Sequence, residues 1–300
     1  MLDVRRLRLL SELARRGTIA EVAKTIGYTP SAISQSLTQL ERQAGVALLE
    51  RDGRRVRLTP AAVALVARAD RVLAELDAAE ADLAAEHETI RGELAIGAFP
   101  SAAAELVVPA VVELARLHPE LSCAVREHEP GDGIPLLRAG ELDLLVSEGY
   151  DNVLGAPAGG LESRPVLTEP LRLVLPAGHP HGERLPFARL RDATWIGGLP
   201  GTQFAAAIEN ACRSAGFSPR VVHRADDAYL FQSLVAAGVG VGLLPALACR
   251  DKAGVEFATT TPRPPRRHVS ALVRRGSARR PAVREILDAL RQAGSRRQVE

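Results

Sequence analysis

The sequence predicts an α/β multidomain chain: an N-terminal winged helix-turn-helix, a long linker helix and a two-lobed α/β body. Three observations carry this. Two short, well-capped helical segments flank Gly27-Tyr28 near the N-terminus, a heptad-spaced apolar series runs from Leu65 to Ile90, and strand-like and helix-like stretches alternate from Gly92 onward. The expected divisions are a head over 1–58, a linker over 59–91 and a body over 92–300.

Composition sets the frame. A chain of 300 residues that is 46% hydrophobic can build substantial cores. The opening MLDVRRLRLLSELARRG threads arginines through its apolar positions and so lacks a signal-peptide core, and no later segment offers the roughly 18 uninterrupted apolar residues of a membrane span. Cys123, Cys212 and Cys249 have neither disulfide-framework nor metal-site spacing, which fits a reducing cytoplasm, and neither a cofactor nor a metal is expected. Charge is segregated: residues 1–58 carry 11 Lys and Arg against 6 Asp and Glu, residues 59–91 carry 3 against 7, residues 92–265 carry 14 against 20, and residues 266–300 carry 10 against 3. A basic head on an acidic body suggests that the head meets a polyanion.

In the head, Leu7, Leu10 and Ala14 mark a first amphipathic helix that stops at Gly17. Thr18 and Glu21 form a T-x-x-E capping box for IAEVAKTI, which Gly27 closes. Thr29 caps the next helix, with Pro30 at its first position, where a missing N–H costs nothing. In YTPSAISQSLTQLERQ the residues Ile33, Leu37, Leu40 and Ala44 form the inward stripe. The opposite face carries Ser31, Ser34, Gln35 and Thr38, all uncharged in a chain that is 25% charged. Short hydroxyls and amides suit close approach to base edges in a major groove, with Gln35 able to contact adenine through two hydrogen bonds and Ser31 placed for a phosphate. LLERDGRRVRLT then reads as a hairpin turning at Asp52-Gly53, a wing on which Arg51, Arg54 and Arg55 are placed to neutralise phosphates or enter a minor groove.

The stretch AEVAKTIGYTPSAISQSLTQLERQAGVALLERDGRRVRLT resembles the winged helix-turn-helix of the LysR-type transcriptional regulators. Downstream, RGELAIGAFPS, LRAGELDLLVSE, EPLRLVLPAGHP, ATWIGG and LVAAGVGVGLLP resemble, in order, landmarks of that family's effector-binding domain. The resemblance implies a cytoplasmic bacterial regulator that binds an interrupted palindrome in double-stranded DNA as a dimer or tetramer, responds to a small-molecule effector and works with RNA polymerase. It also implies a body of periplasmic-binding-protein type, with lobe I over about 92–160 and 267–300 and lobe II over about 161–266. The chain departs from the family pattern at Gln35, where members often have Arg, and at Ala62, where they often have Gly.

In the linker, Leu65, Ala69, Val72, Leu76, Ala79, Leu83 and Ile90 keep a heptad spacing, with Glu86 filling the intervening place. Palindromic DNA requires paired heads, so Leu65, Val72, Leu76 and Leu83 are expected to form a dimer seam; a helix packed on its own subunit is the alternative. In the body, GELAIGAF, LSCAVREHE, LDLLVSE, LRLVLP, TWIGGL, RVVHRA, VGVGLLP and HVSALVRR read as strands of two units with parallel sheets, with helices over Ser101–Leu117, around IPLLRAG, over Thr202–Ala215, over Asp227–Ala237 and over Pro281–Ala293.

Phe99, Pro100 and Ser101, and Gly201 and Thr202, each lie where a strand gives way to a helix N-terminus, a place that favours an anion. They are the expected effector contacts, together with Ser147 and Glu148 at the end of a strand and Asp226 for any cationic group, and the effector is expected to be anionic. Plain N-caps are the alternative for both helix starts, at Phe99-Pro100-Ser101 and at Gly201-Thr202, and a cap on the next helix is the alternative for the Asp226-Asp227 pair. The Gly238-x-Gly240-x-Gly242 run follows a helix and opens a strand, the reverse of a dinucleotide fingerprint, and reads as a close-packed turn. Two further readings stay open: a hydrolase or transferase working in the two-lobed body, and a regulator sensing oxidation through its cysteines.

Overall fold

The computed structural model describes residues 1–52, 55–85, 90–154, 160–180 and 184–297, without the side chains at 51, 52, 55, 80, 81, 84 and 85. The head begins with α1 (Val4–Arg16), α2 (Ile19–Ile26) and α3 (Pro30–Ala44). Each helix starts on a side-chain cap: Asp3 accepts from the Arg6 N–H, Thr18 from Glu21 and Thr29 from Ala32. Each ends on a left-handed glycine, at Gly17, Gly27 and Gly45. Leu7, Leu10, Val22, Ile26, Ile33, Leu37 and Leu40 interlock as the head's core.

The wing follows as β1 (Leu49–Asp52) and β2 (Arg55–Leu58), which pair antiparallel from Leu49 opposite Leu58 to Asp52 opposite Arg55. Its entry is tied to α3, because the Glu41 carboxylate accepts from the backbone N–H groups of Leu48 at 2.9 Å and Leu49 at 3.0 Å. The turn residues 53 and 54 lie outside the described residues.

The linker helix α4 spans Pro60–Ala85. Its N-terminal half belongs to the head: Ala69 is buried in the head's core and half-buried Leu65 packs against it, so Leu65 faces its own subunit rather than the expected seam. Ile90 lies beyond the helix. It sits in an irregular stretch and packs on the core of lobe I, while Glu86 lies outside the described residues. Val72, Leu76 and Leu83 remain 48%, 39% and 71% exposed.

Lobe I is laid down by β3 (Gly92–Ala98), α5 (Pro100–Ala102), a π turn over Ala103–Val107, α6 (Val108–Leu117), β4 (Leu121–Glu127), α7 (Pro130–Ala139) and β5 (Leu144–Tyr150). The π turn precedes Pro109, which has no N–H to continue the helical ladder; Val108 donates instead to the Ala103 carbonyl. Strand β3 lies between β4 and β5, parallel to both.

The chain crosses within β6 (Leu161–Pro176), not at the expected boundary before Leu161. Val166 and Leu167 pack into the core of lobe I, whereas Leu171, Leu173 and Leu175 pack into that of lobe II. Lobe II adds β7 (Arg184–Pro186), β8 (Thr194–Gly197), α8 (Gln203–Ser214), β9 (Arg220–Arg224), α9 (Ala228–Ala236), β10 (Gly242–Pro245) and β11 (Val255–Thr261). The chain returns through β12 (Arg266–Arg274) to α10 (Pro281–Arg297), whose Val283, Ile286 and Leu290 are buried in lobe I.

The sheets are therefore mixed rather than parallel. β12, which carries the chain back to lobe I, runs antiparallel to both β5 and β6, and within lobe II β10 and β11 run antiparallel to β6. Trp195, with its indole N–H donating to the Leu190 carbonyl at 3.1 Å, packs with Phe187 and Phe217 at the centre of lobe II. Gly242 is needed there, since a Cβ would lie 2.8 Å from the Ile196 carbonyl oxygen and 2.4 Å from the Phe231 ring.

Candidate functional site

Two surfaces gather the residues singled out by sequence. On α3, Ile33, Leu37 and Leu40 are buried while Ser31, Ser34, Gln35 and Thr38 are all exposed on the opposite side. Pro30 is exposed at the helix start, and the Thr29 hydroxyl is spent on its capping bond to the Ala32 N–H at 3.2 Å. Arg54 lies outside the described residues, and Arg51 and Arg55 are placed only by the backbone of the wing.

The second surface is a cleft between the lobes. Phe99, Pro100, Ser101 and Glu148 line it from lobe I, and Thr202 and Asp226 from lobe II. Ser147 and Gly201 do not reach it: Ser147 is buried opposite Ser270 on β12, and Gly201 is an exposed left-handed residue before the helix. Thr202 is an N-cap, its hydroxyl accepting from the Ala205 N–H at 3.1 Å and donating to the Leu199 carbonyl at 2.9 Å. Asp227 likewise caps α9 through the Leu230 N–H at 2.7 Å.

Sequence reasoning missed four residues that shape this cleft: Glu129, Tyr150, Glu169 and Arg267. Arg267 is 3% exposed and forms the cleft floor. Its guanidinium donates to Glu169 at 2.8 Å, to Glu148 at 3.1 Å and to the Ser101 hydroxyl at 3.1 Å, and lies 4.8 Å over the Phe99 ring. The other carboxylate oxygen of Glu169 accepts from the Leu247 N–H at 2.6 Å. One buried charge thus joins the helix start of lobe I to the segment after β10 in lobe II.

The remaining electrostatics are acidic. Desolvation raises the Glu148 carboxyl, opposed by Arg267. Glu129 stands at the solvent-facing lip, where partial burial first, and then the charges of Glu148, Asp226 and Glu127, push it up to about 7 against the opposing pull of Arg267. Tyr150 is 4% exposed, and its hydroxyl is buried with no hydrogen-bond partner among the described residues. Burial first, and then the nearby Glu148 charge, hold that hydroxyl well above its ordinary value, although the two groups do not meet in hydrogen-bond geometry. The anionic effector expected from two helix starts therefore meets a cleft whose Thr202 hydroxyl is engaged on both sides and whose Ser101 hydroxyl accepts from a guanidinium already paired with two carboxylates.

A helix-turn-helix head with an uncharged outward face, joined by a helix to a two-lobed body with an interlobe cleft, defines a ligand-responsive DNA-binding regulator. Residues 4–63 match the bacterial regulatory helix-turn-helix proteins of the lysR family, and residues 87–295 match the LysR substrate binding domain. The chain belongs to the LysR family of transcriptional regulators. It is 33% identical over 298 residues to a probable hydrogen peroxide-inducible genes activator of Streptomyces viridosporus, covering 96% of this chain and 93% of that one. The same fold occurs in a full-length OxyR variant from Pseudomonas aeruginosa, with TM-score 0.67, 23% identity and coverage of 97% and 95% of the two chains. It occurs again in full-length CbnR complexed with its target DNA, with TM-score 0.56, 22% identity and coverage of 98% and 100%. Among the described residues no helix is long and apolar enough to cross a membrane.

Proposed function

We propose that a small molecule held in the interlobe cleft changes how a pair of heads grips a two-fold-symmetric DNA site, and so changes transcription by RNA polymerase in a bacterial cytoplasm. In this reading Ser31, Ser34, Gln35 and Thr38 read bases, the wing arginines Arg51, Arg54 and Arg55 neutralise phosphates, and Val72, Leu76 and Leu83 pair two linkers. The observation that carries the coupling is the course of β12. Arg267 near its start floors the cleft, and Arg274 at its end bonds Asp77 on the linker at 3.0 Å. Asp77 in turn accepts from Arg8 of the head at 2.9 Å. A rearrangement at the cleft floor thus has a contiguous route of strand and ion pairs to the DNA-binding end.

The test is to screen the full-length protein with metabolites by thermal shift, and then footprint it on its operator with and without each compound that binds. A ligand at 100 times its dissociation constant adds about 2.7 kcal/mol. The reading expects an altered footprint, and stabilising ligands that leave footprint and transcription unchanged would overturn it. Peroxide sensing, suggested by the name of the Streptomyces relative, is not favoured here. Burial pushes the Cys212 and Cys249 thiols up to about 12 and raises Cys123 as well, which disfavours the reactive thiolate. Catalysis is not favoured either, since both matched regions belong to a family of transcriptional regulators.

A further inference from the structure

We infer that the effector carries a primary ammonium group, held at the cleft by the carboxylates of Glu129 and Asp226 and the hydroxyl of Tyr150. This rests on the reading of the cleft as the effector site.

Charge is the first argument. Three carboxylates line the cleft, those of Glu129, Glu148 and Asp226, against the single guanidinium of Arg267. That guanidinium is already paired with Glu169 and Glu148 and bonded to Ser101, so an incoming anion meets a cation whose charge two buried carboxylates offset. A cation meets the opposite situation. Asp226 uses one oxygen to accept from the Leu199 N–H at 2.8 Å and keeps the other. Glu129 begins α7 without capping it, and its carboxyl has no hydrogen bond or ion pair among the described residues.

The second argument is independent of the acidic groups. Tyr150 lines the same cleft, is 4% exposed, and leaves its hydroxyl without a partner among the described residues. A buried hydroxyl left bare costs about 1–3 kcal/mol, so the site is completed by a ligand that hydrogen-bonds it. An ammonium group has three N–H donors, matching two carboxylates and one phenolic oxygen. A metal ion fits less well, because the described residues contain no group of three or more His, Cys, Asp and Glu that could hold one. Phe204 and Leu244 supply apolar wall for the carbon skeleton, so the ligand class is a small organic amine.

The experiment is calorimetry on the full-length protein. The probes are short alkylammonium compounds from methylammonium to 1,4-diaminobutane, the alcohols and carboxylates of equal length, and calcium or magnesium alone. We expect the amines to bind and the others not to. Glu129→Gln and Asp226→Asn should each weaken amine binding about tenfold or more. Preferential binding of the carboxylates or of the metal ion, or amine binding indifferent to both substitutions, would overturn the ammonium assignment. Such a result would leave the cleft standing as the effector site provided the bound probe shifts DNA affinity. Absence of binding by every probe also overturns the ammonium assignment, and the effector reading itself falls only if the metabolite and footprint test fails.

Discussion

Arg274 on β12 meets Asp77 on the linker helix at 3.0 Å, with the Asp77 carboxylate 4% and the Arg274 side chain 11% exposed. Arg8 of the head binds the other carboxylate oxygen at 2.9 Å, and Arg274 also donates to the carbonyls of Leu137 and Leu142 in lobe I. Head, linker and body therefore share one buried anion. Close by, α4 presses on Gly276, where a Cβ would lie 2.6 Å from the Ala74 carbonyl oxygen, so the linker lies directly on the body.

Removing that anion takes from Arg8 its carboxylate partner and leaves Arg274 with Asp143, at 3.7 Å, and two carbonyls. Asp77→Ala should lower the stability of the full-length protein by about 3 kcal/mol, the lower end of the usual cost of breaking a buried ion pair from one side, because Arg274 keeps a second carboxylate. Urea unfolding of wild type and variant measures this. An unchanged midpoint would mean that water replaces the carboxylate and that the junction holds by packing alone.

The pH dependence of ligand binding follows from Glu129. Its carboxyl is pushed up to about 7 by partial burial and by Glu148, Asp226 and Glu127, with Arg267 pulling the other way. Below that value the group is neutral and attracts no cation, so amine affinity should rise about tenfold from pH 6 to pH 8, with proton release on binding. The raised value also means that the folded, ligand-free protein binds protons more tightly than the unfolded chain. Its contribution to stability is present below the ordinary carboxylate range and is lost as pH rises through about 7. Glu129→Gln should flatten the affinity profile; a profile of the same slope in that variant would assign the titration to another group.

The linker makes a separate prediction. Leu65 is taken up by the head, but Val72, Leu76 and Leu83 stay exposed on one subunit and are available to a second copy. Leu83→Glu, alone and with Leu76→Glu, should shift sedimentation toward monomer and lower affinity for a palindrome while affinity for a half-site holds. Dimers that persist unchanged would place the subunit interface elsewhere.

How far the sequence discloses this molecule depends on whether a pattern is local. The two faces of α3 are legible because a helical period separates Ile33, Leu37 and Leu40 from Ser31, Ser34, Gln35 and Thr38 within one short segment. Glu169 and Arg267 leave a weaker mark. Glu169 shares the inward parity of Leu167 and Leu171, and Arg267 that of Val269 and Ala271, so each is a charge placed in a buried register. That they face one another across β6 and β12, 98 residues apart in sequence, is fixed only by the antiparallel register. The first half of β6 is hidden for a local reason, since Pro165 and Pro170 argue against a strand; Pro165 is accommodated at an irregularity in the pairing, opposite Ser270. The cleft's acidity is hidden because helix starts advertise anion binding, and only the folded structure shows Thr202 spent on its cap and Ser101 accepting from an arginine already paired with Glu148 and Glu169.

The last prediction separates the two roles assigned in the head. Phosphate neutralisation is electrostatic and independent of sequence, so Arg51→Ala or Arg55→Ala should weaken specific and nonspecific DNA alike and reduce the log–log salt slope by about 0.9 for each phosphate that is no longer neutralised. Gln35 is exposed on α3 and its side chain has no hydrogen bond among the described residues, so it is available to a base edge. Gln35→Ala should therefore narrow the gap between the true operator and a base-substituted one by about 1–3 kcal/mol, the worth of one good bidentate base pairing, with little change in salt slope. Titrating wild type and each variant against both DNAs at several salt concentrations distinguishes the two effects, because one changes the slope and the other changes the discrimination. If Gln35→Ala weakened binding equally for every sequence, base reading through that side chain would be excluded, and recognition by α3 would have to rest on Ser31, Ser34 and Thr38.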